Sequence, residues 1–114
     1  MAKIVEVANA MISNKNKITH VLKSSNEYYF IYNNKYKWSI SEAQTHFYLH
    51  FYPTQMSLEE LTTITDWSNF SEMVTYSTLE LKTTEAIETF RELYQIVSER
   101  VFGLDEIFDE IINE

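Results

Sequence analysis

The sequence predicts a single α+β domain over residues 1–114, with helices packed on one face of a largely antiparallel sheet. Runs of alternating apolar and polar residues follow one another in the first half of the chain, and apolar residues recur at helical spacing near both ends. The composition, 45% hydrophobic and 15% aromatic, supplies material for a core. The predicted element order is α-β-β-β-β-α-β-α-α, with a four- to five-stranded sheet.

A helix and a four-stranded meander account for the first half of this prediction. Residues 3–13 place apolar side chains at near-helical spacing, which is typical of an amphipathic helix. Alternating runs separated by turn-like segments then predict an antiparallel meander over residues 18–52. The turn between its second and third strands falls on residues 33–34, both asparagine, and a two-residue type I′ turn there would pair Tyr29 with Trp38.

That pairing assigns the side chains of the hairpin to two faces, because residues opposite each other on neighbouring strands share a face. The face predicted to be core consists of Tyr29, Ile31, Tyr36, Trp38 and Ile40. The other face, named here the ring–lysine face, consists of Tyr28, Phe30, Tyr32, Lys35 and Lys37, together with Ser39. Such rings can stack bases beside phosphate-binding lysines, can form a protein-binding face, or can pack on the lysine stems beneath a helix.

A short helix and a fifth strand follow the meander. Pro53 ends the last meander strand. Ser57 and Glu60 form a capping-box pattern, which begins a helix that we expect to end near Asp66. Residues 73–81, MVTYSTLEL, then read as a strand.

Two helices complete the predicted domain. Thr83 or Thr84 caps the longer one, whose apolar residues recur at steps of three and four. Gly103 is a natural residue for the turn that ends it. The last helix covers residues 104–112. Its apolar side carries Leu104, Ile107, Phe108, Ile111 and Ile112, and its polar side carries Asp105, Glu106, Asp109 and Glu110.

Charge is distributed unevenly along the chain, whose formal net charge is −8. Residues 1–57 carry six lysines and three acids, whereas residues 58–114 carry three basic residues and fourteen acids, a net charge of +3 against −11. An acidic helical surface can be an ordinary solvated face, or it can steer association with a basic partner. The residues predicted to bind such a partner are Glu92, Glu99, Asp105, Glu106, Asp109 and Glu110.

The composition argues against several classes of function. The chain has no cysteine, which excludes disulfides and thiolate chemistry, and its single glycine leaves no phosphate-binding loop. His46 and His50 lie on a predicted strand, where a rise of ~3.3 Å per residue separates them by about 13 Å, too far to share a metal ion. No serine stands in a strained glycine turn. We therefore expect no catalysis, no cofactor and no metal.

The sequence also bears on location. No run approaches the ~20 apolar residues that a membrane span needs, and the N-terminal segment, which carries Glu6, is not typical of a signal peptide. These observations predict a cytoplasmic protein that does not enter a membrane.

The remaining features favour a small non-catalytic protein that binds another macromolecule. The leading hypothesis is an inhibitor or immunity-type protein, such as a phage anti-defence protein against CRISPR or restriction systems, or an antitoxin. It would dock its acidic helical face on a basic partner that otherwise holds nucleic acid.

Three alternatives stay open at the level of sequence. The first is a single-stranded nucleic-acid binder that uses the ring–lysine face, although the net negative charge disfavours it. The second is a secretion-type chaperone, and the third is a small-ligand module whose pocket is lined by His46, Tyr48 or His50. A homodimer that forms through the ring–lysine face is compatible with each of them.

Overall fold

The computed structural model describes residues 2–101 and 103–114, and of residues 104–106 it describes the backbone alone. The strands are β1 (Ile18–Ser24), β2 (Glu27–Tyr32), β3 (Tyr36–Ala43), β4 (His46–Phe51) and β5 (Val74–Ser77). The helices are α1 (Lys3–Ser13), α2 (Leu58–Thr62), α3 (Thr78–Leu81), α4 (Thr84–Arg100) and α5 (Leu104–Ile112), with a 3₁₀ turn at Lys15–Lys17. The described strands form one antiparallel sheet in the order β1-β2-β3-β4-β5, which confirms the predicted α+β class.

The main core lies on one face of this sheet, beneath α1 and α4. Alternate residues of the strands and helically spaced residues of the two helices point into it, as the two periodicities require. Its most deeply buried side chains include Val5, Met11, Phe30, Ile40, Leu49, Phe90, Leu93 and Val97. Burial of a side chain of this size contributes about 1.5–3 kcal/mol relative to exposure, so apolar contact holds both helices on the sheet.

Side-chain caps begin α2 and α4 where the sequence predicts them. Ser57 Oγ accepts the N–H of Glu60 at 3.1 Å, and Glu60 Oε1 accepts the N–H of Ser57 at 3.0 Å. The backbone N–H of Ser57, which donates to the Glu60 carboxylate, and secondly the Ser57 side chain hold the pKa of that carboxyl below its ordinary value. Thr83, rather than Thr84, caps α4, because its Oγ1 accepts the N–H of Ala86 at 3.0 Å.

A second, smaller core covers the opposite face of the sheet, named here the second face. It consists of Tyr29, Tyr52, Leu58 and Leu61, and the apolar residues that pack around them from the following loop are Ile64, Trp67, Phe70 and Met73. The rings of Tyr29 and Tyr52 stack with centroids 6.0 Å apart, and Trp67 lies 6.0 Å from Tyr52. One short helix and a loop therefore cover the second face, in addition to the helices that pack on the main core.

The hairpin between β2 and β3 has a register one residue away from the predicted one. Both asparagines adopt left-handed φ values, 57° and 56°, but the loop covers residues 33–35, so Phe30 pairs with Trp38 and not with Lys37. A shift of one residue moves every side chain of a strand to the other face. The hairpin residues of the main core are therefore Tyr28, Phe30, Trp38 and Ile40, whereas Tyr29 and Ile31 belong to the second face.

Two predicted boundaries are also corrected. Helix α2 ends at Thr62 and not near Asp66. The strand predicted over residues 73–81 ends at Ser77, because Ser77 Oγ accepts the N–H of Leu79 and begins the single turn α3. That turn is followed at once by α4.

Candidate functional site

The outer side of α4 carries four exposed carboxylates, named here the acidic face: Glu85, Glu88, Glu92 and Glu99. Their steps of three, four and seven residues place them on one side of the helix along about 21 Å, at a rise of 1.5 Å per residue. In the described part of the chain, Glu27 is the carboxylate that pairs with a basic side chain, that of His50. The four carboxylates of the acidic face therefore have no ion-pair partner among the described residues. The row is unneutralised negative charge that faces solvent.

The acidic face contains two of the residues predicted from the sequence to bind a partner. Glu92 and Glu99 are both exposed on it, whereas Glu85 and Glu88 were not singled out. The helical spacing was the available signal, because residues 3, 4 and 7 positions apart share one side of a helix. Arg91 lies within this stretch, but its guanidinium is placed 5.9 Å from the centre of the Phe47 ring.

Helix α5 is exposed on both of its sides where side chains are described. Asp109 and Glu110 are exposed, as predicted, and the side chains of Asp105 and Glu106 lie outside the described residues. The apolar side is uncovered as well: the exposed fractions are 44% for Ile107, 51% for Phe108, 58% for Ile111 and 77% for Ile112. Four large apolar side chains on one helix form a patch of the kind that marks an interaction site.

The ring–lysine face is not formed, and this sequence prediction is corrected. The shifted register places Tyr28 and Phe30 in the main core at 8% and 0% exposure, with Tyr32 partly buried against it. Lys35 lies in the hairpin loop, and Lys37 is on the second face, where its Nζ donates to the carbonyl of Thr54 at 2.7 Å. The five residues therefore do not share one surface, and no stacking platform is built from them.

The two histidines of β4 lie on the strand as expected but differ in their surroundings. His50 Nδ1 is 2.8 Å from Thr75 Oγ1, whereas His46 Nδ1 is buried and has no hydrogen-bond partner among the described residues. No group of three or more histidine, aspartate or glutamate side chains in that part of the chain is arranged to hold a metal ion. Tyr48 is half-buried on the same strand.

A line of polar side chains crosses four strands on the second face and is named here the polar row. Tyr29 is opposite Ser39, Ser39 is opposite His50, and His50 is opposite Thr75. A one-residue error in the register of the hairpin places Trp38, not Ser39, opposite Tyr29. The sequence-based register therefore missed the row, although Ser39 and His50 were visible as isolated polar residues.

Ser39 connects the polar row to the buried phenol of Tyr52, and Glu27 joins Ser39 to His50. Ser39 Oγ donates to Glu27 Oε2 at 2.6 Å and lies 2.7 Å from Tyr52 Oη. His50 Nε2 lies 3.6 Å from the same carboxylate oxygen. Because buried polar groups are costly when unpaired, this network favours one strand register over its neighbours.

Burial shifts the pKa values of the titratable groups in this network. Burial raises the pKa of Tyr29 to about 12, and the charge of Glu27 adds to that shift. Burial also raises the pKa of Tyr52 well above its ordinary value. Burial lowers the pKa of His50, against the opposing effect of Glu27. The network is therefore held with neutral phenols and a histidine that resists protonation.

A small cavity of about 180 Å³ adjoins this network, and Glu27, Tyr29, His50, Tyr52, Trp67 and Met73 line it. Ligand pockets usually measure about 300–1,000 Å³, so this cavity is below that range. Ser39 donates to the Glu27 carboxylate but is wholly buried, so its hydroxyl is not accessible to a substrate in this arrangement. The small-ligand alternative predicts a pocket lined by His46, Tyr48 or His50. In the structure His50 lines this cavity, and His46 and Tyr48 do not.

Comparisons of the chain with models of protein families, with curated proteins and with solved structures gave no match. Among the described residues there is no helix with the length and apolar character needed to cross a bilayer. The geometry of the chain itself is therefore the basis for the functional argument that follows.

Proposed function

We propose that this chain is a small, non-catalytic acidic binding protein that docks the acidic face and α5 on a basic partner protein. One observation carries the proposal: four exposed, unpaired carboxylates lie in line on α4 and are followed by an exposed amphipathic helix. The charge orients and accelerates the encounter, and the apolar side of α5 supplies the affinity.

The acidic face suits a partner that holds nucleic acid. Carboxylates three or four residues apart on a helix are ~5–6 Å from each other, and Glu99 lies two turns beyond Glu92, so the face presents a row of negative charge along about 21 Å. A groove lined by lysine and arginine to bind phosphates is complementary to such a row. Occupation of that groove would block the partner, which is the action of an inhibitor or immunity-type protein.

The apolar side of α5 adds the desolvated part of the proposed interface. An amphipathic helix commonly binds by laying its apolar side chains into a groove of the partner. Phe108 is the one aromatic residue of the exposed patch, which also contains Ile107, Ile111 and Ile112. We propose that these side chains are the contacts whose loss weakens the complex most, because buried apolar and aromatic anchors dominate binding energies.

The biological classes that fit this mode of action are phage anti-defence proteins against CRISPR or restriction systems, and antitoxins. Under this proposal the chain would act by covering a basic surface of an enzyme that handles nucleic acid. A single-stranded nucleic-acid binder fits less well, since the rings required for stacking are in the core and the exposed charge on α4 is negative.

The experiment compares charge removal on and off the acidic face. The test variant carries the substitutions Glu85→Gln, Glu88→Gln, Glu92→Gln and Glu99→Gln. The control variant removes the same number of charges from exposed positions elsewhere: Glu6→Gln, Glu42→Gln, Glu59→Gln and Glu72→Gln. Proteins captured on each bait at low salt are identified by mass spectrometry, and the purified partner is then titrated at several salt concentrations.

We expect a basic partner whose dissociation constant rises at least tenfold for the test variant and changes little for the control variant. The affinity of the wild-type chain should also fall as salt increases, because exposed charges are screened within about 10 Å at 0.1 M ionic strength. An affinity that is independent of salt, or equal for the two variants, would contradict the proposal. Tight binding of random single-stranded oligonucleotides by the wild-type chain would favour the alternative function.

A further inference from the structure

The cavity of about 180 Å³ on the second face is named here the Glu27 cavity. Its lining combines one carboxylate with aromatic, imidazole and thioether groups, contributed by Glu27, Tyr29, His50, Tyr52, Trp67 and Met73. Helix α4 packs on the other face of the sheet, so this cavity is separate from the acidic face. A role of the cavity can therefore be tested independently of the proposed function.

The carboxylate of Glu27 is accessible from solvent, and no charged group among the described residues balances it. The Glu27 side chain keeps 19% of its full exposure, so it is neither sealed in nor freely hydrated. Ser39, which donates to it at 2.6 Å, is a neutral partner. The imidazole of His50 lies 3.6 Å away, but burial lowers its pKa, so it is uncharged near neutral pH. Because poorly hydrated charges are ordinarily paired, this carboxylate favours a positively charged ligand.

Three aromatic side chains line the cavity together with this carboxylate. The ring centroids of Tyr29 and Tyr52 are 6.0 Å apart, and the ring of Trp67 lies 6.0 Å from that of Tyr52. Trp67 is only partly buried, so a ligand from solvent can reach it. Aromatic rings attract cations electrostatically, and tryptophan does so most strongly. The rings and the carboxylate therefore favour the same sign of charge.

The loop between α2 and β5 holds Trp67 at the cavity. The N–H of Phe70 donates to the carbonyl of Trp67 at 3.1 Å, and the two rings meet edge to face with centroids 5.2 Å apart. Asp66 Oδ1 accepts the N–H of Ser68 at 3.0 Å, which closes a turn around Trp67. A ligand that contacts Trp67 does not have to order this loop first, and that lowers the entropic cost of binding.

The lining disfavours a metal ion and a large ligand. Calcium and magnesium ions take several oxygen ligands, whereas Glu27 is the one carboxylate of the lining. The described residues contain no group of three histidine, aspartate or glutamate side chains arranged to hold a metal ion. The volume is below that of sites for drug-sized molecules, so the cavity suits a compact head group.

We propose that the Glu27 cavity binds a methylated ammonium head group. Glu27 balances the positive charge, and the methyl groups contact the rings and Met73. Methylation favours binding because it removes the N–H groups that would otherwise need hydrogen-bond acceptors in a cavity lined mostly by rings. Such a head group belongs either to a free small molecule or to a methylated lysine of another protein, and the probes below distinguish these two sources.

The first experiment compares choline with its uncharged carbon isostere, 3,3-dimethylbutan-1-ol. Binding is followed through the indole N–H resonances in ¹H–¹⁵N NMR spectra of the whole chain. The chain contains two tryptophans, and Trp38, in the main core on the other face, is the internal control. We expect choline to shift the Trp67 resonance in a saturable way, to leave that of Trp38 in place, and to bind about tenfold more tightly than the isostere.

The second experiment removes the charge of the cavity. Glu27→Gln keeps an oxygen that can accept the hydrogen bond of Ser39, and it should weaken choline binding about tenfold. Glu42→Gln is the matched control, because it removes the same charge at an exposed position outside the lining, and it should leave the affinity nearly unchanged. A folded spectrum is required of each variant.

The third experiment removes the ring. Trp67→Leu should weaken choline binding and should also assign the Trp67 resonance, whereas Phe108→Leu removes an exposed ring elsewhere and should not change the affinity. The methyl resonance of Met73 reports binding in both variants, because Met73 lines the cavity. If Trp67→Leu does not fold, the comparison of Glu27→Gln with Glu42→Gln decides the result.

Two further probes identify the source of the head group: the Nα-acetyl amide of trimethyllysine and the same derivative of unmethylated lysine. Tighter binding of the trimethyllysine derivative than of choline assigns the cavity to a methylated lysine of a protein. Tighter binding of choline assigns it to a free small molecule. In both cases we expect the unmethylated lysine derivative to bind more weakly than its trimethylated form.

The proposal is overturned if choline does not shift the Trp67 resonance, or if choline and its carbon isostere bind equally. It is also overturned if Glu27→Gln and Glu42→Gln bind choline with the same affinity, because the charge of the cavity would then contribute nothing. Equal binding of the methylated and unmethylated lysine derivatives would show that the cavity does not select methylated ammonium groups, and would overturn the proposal as well.

Discussion

Helices α4 and α5 have similar sequence patterns and opposite environments. Both have apolar residues on one side and carboxylates on the other. On α4, Phe90, Leu93 and Val97 are wholly buried against the sheet, whereas the four described apolar side chains of α5, Ile107, Phe108, Ile111 and Ile112, are between 44% and 77% exposed. The same kind of pattern therefore builds the core in one helix and leaves an interaction surface in the other.

The difference shows what an amphipathic pattern can and cannot determine. It determines that a helix has an apolar side, because residues three and four apart lie together. It does not determine whether another part of the chain covers that side. Helix α4 lies on the sheet, whereas Gly103, with φ of 63°, turns the chain between α4 and α5. Helix α5 is consequently the part of the described chain with the most uncovered apolar surface.

The largest expected effect separates the two helices by stability. Phe90→Ala should lower the free energy of unfolding by about 3–5 kcal/mol, because it removes a buried ring and leaves a cavity. Phe108→Ala should change it by less than about 0.5 kcal/mol, because that ring is already 51% exposed. Urea unfolding followed by circular dichroism measures both values. Similar losses for the two variants would mean that α5 is packed and the comparison is wrong.

A second prediction concerns the phenol of Tyr29 on the packed second face. Its folded-state pKa of about 12 exceeds the ordinary value of 10.0, so the unfolded chain releases this proton first as pH rises. A pKa difference of one to two units between the folded and unfolded chain contributes on the order of 2 kcal/mol to the free energy of unfolding. This contribution is present below pH ~10 and is lost between pH ~10 and ~12.

Urea unfolding as a function of pH tests the Tyr29 prediction. Tyr29→Phe should flatten the alkaline loss of stability, whereas the matched variant Tyr36→Phe, at an exposed ring, should retain the wild-type profile. A Tyr29→Phe profile that matched the wild-type curve between pH 9 and 12 would remove this explanation.

A third prediction, of about 1 kcal/mol, concerns the residues that begin the two helices. Thr83→Ala removes the cap of α4 and should lower global stability by about 1 kcal/mol, whereas Thr84→Ala, the neighbouring control, removes no cap. Gly103→Ala places a side chain on a residue with a left-handed backbone, which costs about 1–2 kcal/mol. We expect this cost to reduce the helicity of α5 and to leave the midpoint of global unfolding nearly unchanged. If the unfolding midpoint fell as much for Gly103→Ala as for Thr83→Ala, the result would show that α5 unfolds together with the core and would contradict the prediction.

The smallest expected effect concerns acid. Burial holds the folded-state pKa of His50 below its ordinary value of 6.5, so the unfolded chain takes up this proton first as pH falls. Stability should be full above pH ~6.5 and decrease as pH falls through the folded-state pKa. The groups facing the imidazole are Glu27, Thr75 and the ring of Tyr52. His50→Gln should make the free energy of unfolding less dependent on pH between 7 and 5, whereas the control Phe108→Ala should retain the wild-type dependence. The same dependence of unfolding free energy on pH in the wild-type chain and both variants would contradict the prediction.

Local signals in the sequence were sufficient for most of the fold. The capping box at Ser57, the cap at Thr83 and the alternation of Phe47 and Leu49 each depend on residues close together in the chain, and each is present in the structure. The register of the hairpin was not accessible in this way. Residues 28–32, YYFIY, are large and apolar or aromatic at every position, and both faces of this strand are covered. Alternation could therefore not assign a face to it.

The candidate sites also differ in whether signals from residues close together in the chain could reveal them. The acidic face follows from helical spacing on α4, and part of it was predicted. The polar row depends on which residues of different strands lie opposite each other, so the hairpin register had to be correct before it could be found. The ring–lysine face was an artefact of the incorrect register.

The sequence alone determined most of the helices and strands and where most of the charge lies, because caps, periodicity and side-chain ionisation act over a few residues. Tertiary structure decided the one-residue register of β2 against β3, the burial of α4 and the exposure of α5. Those outcomes depend on which apolar surfaces find a complementary surface elsewhere in the chain, and that free energy belongs to the packed arrangement as a whole and to no single segment.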